Sequence, residues 1–178
     1  MSLFHANQLL IAKPDMGDPN FSRTVLYLLE HDDNGALGVV LNRPMTIPVA
    51  EHFEALVGVV SYPPLFFEGG PVAAGSVVAV GGATAGPVAL VDIDAVLAGT
   101  QPMPDHMRLF AGYSGWSAGQ LESEIVGGSW IVADTHRDDL GGDDIFGANP
   151  ADLWRTVLRR QPRPISQMAL YPDDLIVN

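Results

Sequence analysis

Apolar residues fall in short runs along this chain, and the runs are separated by Gly, Pro, Asn and Asp. Runs of about four to eight residues bounded by such breakers read as strands rather than helices. Gln8 to Lys13 is the first, stopped by Pro14, and Pro14 to Asn20 is turn chemistry throughout. Val25 to Glu30 and Ala36 to Leu41 form a hairpin across His31-Asp32-Asp33-Asn34-Gly35, because an Asn-Gly pair supplies positive φ angles. Pro44 has no N–H to donate and ends the second strand. Thr46 then caps a helix in which Val49, Phe53, Leu56 and Val57 recur at helical spacing, stopping at Gly58.

Leu65 to Phe67 is a brief strand entering Glu68-Gly69-Gly70-Pro71, and Ser76 to Val80 pairs with Val88 to Val91 across a Gly-rich turn. Asp92 or Asp94 opens a short helix to Leu97. Met107 to Tyr113 is a strand running into a Gly-rich turn, after which Ser117 caps a helix through Gln120, Leu121, Glu124 and Ile125 that ends at Gly127-Gly128. Trp130 to Ala133 returns as a strand. Asp134 to Asp144 is acidic enough to predict a solvated loop. Asn149 and Pro150 open a last helix with Leu153, Trp154, Val157 and Leu158 as its buried stripe. Hairpin-paired strands with a few interleaved helices predict an α+β fold with a mostly antiparallel or mixed sheet. No repeat or linker divides residues 1–178, which read as a single domain.

Composition narrows the function classes. Nine Lys and Arg face 21 Asp and Glu, a formal charge of −12, and such a field repels a phosphate backbone. Direct nucleic-acid binding is therefore not expected, although Arg155, Arg159, Arg160 and Arg163 cluster near the C-terminus, where cations oppose the dipole of the last helix. The absence of Cys excludes disulfides, thiolate ligands and thiol nucleophiles, and fits a reducing compartment. No apolar run approaches the ~18 residues of a membrane span, so a cytoplasmic protein with no membrane role is expected.

Candidate chemistry is sparse. Ser114 sits in Gly-Tyr-Ser-Gly-Trp, but a nucleophile elbow needs Gly where Trp116 stands. Asp134, His136, Asp138 and Asp139 could ligate a cation, yet a loop fixes no ligand geometry, and neither a metal nor a cofactor is expected. His31, Asn42, Glu68, Gly69, Gly70, Tyr113, Trp116 and Gln120 lie at predicted junctions between rigid elements and loops, and polar groups beside an apolar wall are what a small-ligand pocket needs. The competing reading is architectural: turn glycines, a core Trp, and Asn42 and His31 satisfying backbone groups.

The segments Pro14 to Pro44, Phe66 to Val72 (FFEGGPV) and Leu109 to Ile125 (LFAGYSGWSAGQLESEI) closely resemble the bacterial YqgE/AlgH family, in order and over nearly the whole chain. The matching positions include Asp18, Pro19, Phe21, Glu30, His31, Gly35, Asn42 and Pro44, then Gly69, Gly70, Gly112, Gly115, Trp116, Gly119, Gln120 and Glu124. The resemblance implies an α+β domain with a bifurcated sheet folded into a pseudo-barrel, and a transcriptional-regulator label inherited from a member linked to alginate production. It supplies no catalytic residue. Many relatives have Cys before the Glu-His pair where this chain has Leu29, so thiol chemistry is closed to it. The leading expectation is a regulator that binds a small molecule or a protein partner. The alternative is a hydrolase or transferase with His31 as general base, assisted by Glu30 or Glu68.

Overall fold

The computed structural model describes residues 3–138 and 142–173. Strands β1 (Gln8–Ala12), β2 (Val25–Asp32) and β3 (Gly35–Val40) form an antiparallel meander, and β9 (Trp130–Asp134) pairs with the free edge of β1. The hairpin is tighter than the sequence suggests: Asp33 and Asn34 alone make the turn, and the Asn34 N–H donates to Asp32 Oδ1 at 2.7 Å. His31 consequently lies in β2, opposite Ala36, rather than in the connection. Its polarity masked the end of the strand.

Strand β4 (Pro44–Pro48) pairs with β5 (Leu65–Glu68) and replaces the expected start of a helix capped by Thr46. Pro44 and Pro48 each push the preceding residue away from the helical region, which favours extended chain here. Only two single 3-10 turns follow, Val49–Glu51 and Glu54–Leu56. The helical spacing of Val49, Phe53 and Leu56 reflects a shared apolar cluster with Phe66, Met107 and Leu109, from which exposed Val57 is missing.

The twelve-residue β8 (His106–Ser117) organises the nine-stranded sheet. One of its edges pairs in parallel with β5 at Phe110 and Ala111, then antiparallel with β3 from Ser114 to Ser117. The other edge takes β6 (Val72–Gly82), which carries β7 (Val88–Val91). The sheet thus bifurcates at β8. The Gly-rich segment that suggests a turn is the middle of this strand: Gly112 adopts φ +71°, and the register of β6 slips between Val72 and Val77 beside it. A glycine at positive φ bends the strand without ending it. Helix α2 (Gln120–Val126) begins after Gly119, so Ser117 is the last residue of β8 and not the cap.

Helix α1 (Ile93–Leu97) is capped by Asp92, whose Oδ1 accepts from the Ala95 N–H at 3.1 Å. Helix α3 (Leu153–Arg159) follows a 3-10 turn, Pro150–Asp152, and the Asn149 side chain donates to Asp152 instead of capping. Alternate residues of β1 face opposite ways: Leu9 and Ile11 join Phe67, Phe110 and Trp154 in one core, while Leu10 joins Leu26, Trp116 and Trp130 in another. Burial on both faces explains the unbroken apolar run. The acidic segment is not simply solvated, because Asp144 is buried and pairs with Arg160, while Asp139 lies outside the described residues. Among the described residues, no helix is long and apolar enough to cross a membrane.

Candidate functional site

Trp116 on β8 and Trp130 on β9 stand edge to face, ring centroids 6.2 Å apart, with the Phe21 ring 5.4 Å from Trp130. Both indoles are buried, and a buried indole N–H needs an acceptor. Glu124 on α2 supplies one for both: its Oε2 accepts from Trp116 Nε1 at 2.9 Å and from Trp130 Nε1 at 2.8 Å. Gln120, one helical turn earlier, donates from Nε2 to Glu124 Oε1 at 3.0 Å, as the i, i+4 spacing permits. Its own Oε1 accepts from the Ser117 N–H and hydroxyl at 3.1 and 3.2 Å, tying the start of α2 to the end of β8.

A cavity of about 240 Å³ opens against this group, and Trp116, Trp130, Phe21, Gln120, Glu124 and Asp18 are among the residues that line it. Two carboxylates and no Lys or Arg line it. Aromatic faces beside acidic acceptors favour a ligand that carries N–H donors or positive charge, and disfavour an anion.

The other residues singled out in the sequence do not line this cavity. His31 has a fully buried side chain; its Nδ1 accepts from the His5 N–H at 3.0 Å, and its Nε2 lies 3.2 Å from Glu122 Oε1 without hydrogen-bond geometry. A ring so enclosed has no open face for a substrate proton, which removes the geometric basis for a general base. Glu30 and Glu68 are both exposed. Asn42 clamps backbone, its Oδ1 accepting from the Val25 N–H at 3.0 Å and its Nδ2 donating to Arg23 O at 2.8 Å. Gly69 and Gly70 are buried at the fork of the sheet, where the Gly69 carbonyl accepts from the Val40 N–H at 3.0 Å and the Ser114 hydroxyl at 3.1 Å. Ser114 is thereby a buried structural hydroxyl, and Tyr113 packs against the main core.

The sequence thus marks Trp116 and Gln120 as candidates and sets Glu124 on the same helix face as Gln120, but it does not mark Trp130, which reaches Glu124 from a different element. A larger opening of about 440 Å³ is walled by Met45, Phe53, Phe66 and Val77 and is mainly apolar. Of the possible cation ligands, His136 Nε2 sits 3.0 Å from Asp138 Oδ2, and Asp134 accepts from Gln8 at 2.9 Å.

The fold is thus a bifurcated mixed sheet with a tryptophan-lined cavity at its α2 side. A family model described as AlgH-like matches residues 9–166, and the chain belongs to that family. Curated relatives named only as UPF0301 proteins include those of Streptomyces avermitilis, 39% identical over 96% of this chain and 94% of the relative, and Streptomyces coelicolor, 40% identical over the same shares. Among solved structures, protein DIP2367 from Corynebacterium diphtheriae superposes with a TM-score of 0.81 at 29% identity, covering 94% of this chain and 92% of its own. The solution structure of the AlgH protein from Pseudomonas aeruginosa gives a TM-score of 0.65 at 29% identity, with 94% of each chain covered.

Proposed function

We propose that this chain is a regulator that works by binding, taking up a small neutral or cationic molecule in the tryptophan cavity, or a partner's side chain of the same chemistry. The carrying observation is the shared carboxylate: Glu124 holds two indoles at 2.8 and 2.9 Å, so a rigid aromatic wall and an acceptor are preorganised at one opening. Direct DNA recognition is not part of this reading. The chain carries −12, and two of the clustered arginines are committed elsewhere, Arg155 to carbonyls near the C-terminus and Arg160 to Asp144. With the His31 ring enclosed, the general-base alternative gains no support.

The three tryptophans make the test direct, since Trp154 donates to Ala12 O in the other core and serves as an internal control. In a nitrogen-correlated NMR spectrum, a panel of small amines and amides is expected to shift the Trp116 and Trp130 indole signals and leave Trp154 in place. Shifts of all three together, or of none across the panel, would count against the site.

A further inference from the structure

A second cavity, of about 190 Å³, shares no lining residue with the tryptophan site. Leu41, Ile145 and Leu153 form buried apolar lining, and Asn149 and Thr156 are exposed on its rim. Arg108, from β8, also lines it and is only 1% exposed. Its guanidinium lies 4.2 Å from the centre of the Phe67 ring, and both of its hydrogen bonds leave from Nη2, to Tyr62 O at 3.1 Å and Gly147 O at 3.2 Å. The buried Nε has no acceptor.

An isolated buried cation is costly, and proteins normally pair it. Two carboxylates line the cavity, and each is already taken. Asp143 Oδ2 accepts from Arg137 Nε at 2.9 Å, while its Oδ1 accepts the Ile145 and Phe146 N–H groups at 2.8 Å. Asp144 is held by both terminal nitrogens of Arg160, at 2.9 and 2.6 Å, and by the His136 N–H at 2.8 Å. Arg108 forms no ion pair with any described residue. Burial lowers its pKa to about 10, with the charge of Asp143 opposing the shift, so it stays cationic at neutral pH.

We propose that this cavity binds a small monocarboxylate, whose head supplies the counter-ion that Arg108 lacks and whose short apolar body lies against Leu41, Ile145 and Leu153. One surplus cation matches one negative charge, whereas a dianion would bring an unneutralised charge into the same enclosed space. The cavity volume of about 190 Å³ has room for a short-chain acid. Nothing in this inference depends on the tryptophan site.

Butyrate is a suitable probe, with butyramide as its uncharged counterpart, and phosphate and chloride at matched ionic strength as the other arms. Thermal unfolding of the full chain is expected to show a saturable rise in Tm with butyrate, a smaller one with phosphate, and none with butyramide or chloride. Arg108→Met is expected to weaken the butyrate response at least about tenfold, the loss of one charge-assisted contact. Should that variant fail to fold, Thr156→Trp, placed at the exposed rim, blocks the cavity with Arg108 intact and is expected to abolish the response. A flat butyrate titration, an equal effect of butyramide, a stronger effect of phosphate, or a response retained in the variants would overturn the proposal.

Discussion

Glu124 satisfies two buried indole donors with one oxygen. Replacing it with Leu leaves both indole N–H groups without their acceptor, at a cost of about 1–3 kcal/mol for each unsatisfied donor, toward the lower end because the adjoining cavity admits water. Glu124→Leu is therefore expected to lower unfolding stability by about 2–4 kcal/mol in urea titrations, and Glu124→Gln by distinctly less, since its amide oxygen still accepts. Equal losses in the two variants would show that the indoles do not depend on that acceptor. Gln120 and Glu124 were legible in the sequence because helical spacing alone brings them together. Trp130 was not, because its contact with Glu124 is made by tertiary packing, and no local pattern encodes it. Arg108 carried no signal of its own inside the run from Met107 to Tyr113, because its burial comes from the elements that cover both sides of that part of β8.

At the scale of elements, β8 depends on close backbone contact at the fork. A Cβ added to Gly69 would stand 2.2 Å from the Gly112 carbonyl oxygen and 2.9 Å from Phe110 Cβ, and backbone on a central strand has little room to move. Gly69→Ala is expected to cost more than about 3 kcal/mol or prevent folding. Gly58→Ala meets nothing within 4 Å and is expected to stay within about 1 kcal/mol of the parent. Similar chemical-denaturation midpoints for the two would contradict the account of the fork. The elements themselves were legible wherever side-chain period and punctuation agreed, as in the β2–β3 hairpin, the β6–β7 pair and the stripe of α3. They were misread where one rule stood for two structures. Glycines at 112 and 115 look like a turn but serve a bent strand, and the spacing of Val49, Phe53 and Leu56 looks helical but serves two 3-10 turns over a common cluster.

Two groups link the stability of the whole molecule to alkaline pH, Tyr27 and Arg108. Tyr27 spans the meander and donates to Asn7 Oδ1 at 2.9 Å; burial raises its pKa above the ordinary 10.0, with Arg137 opposing. In the unfolded chain the phenol loses its proton first, so above pH 10 the folded state holds more protons and stability falls as pH rises. Arg108 contributes with the opposite sign above about pH 10, where the unfolded chain holds more protons. The Tyr27 contribution is isolated by difference: relative to Tyr27→Phe, the parent is expected to lose stability progressively above pH 10, and a constant offset between them would refute it.

The binding reading concerns the molecule as it exists in its own cell, and native mass spectrometry of the protein purified gently from that source tests it most directly. The account predicts a retained small molecule on the parent chain, neutral or cationic once released, and its loss from Gln120→Trp, in which an indole fills the cavity mouth. A parent chain that flies at its bare mass, even after incubation with the cell's own metabolite extract, or a retained molecule that persists unchanged in Gln120→Trp, would contradict it.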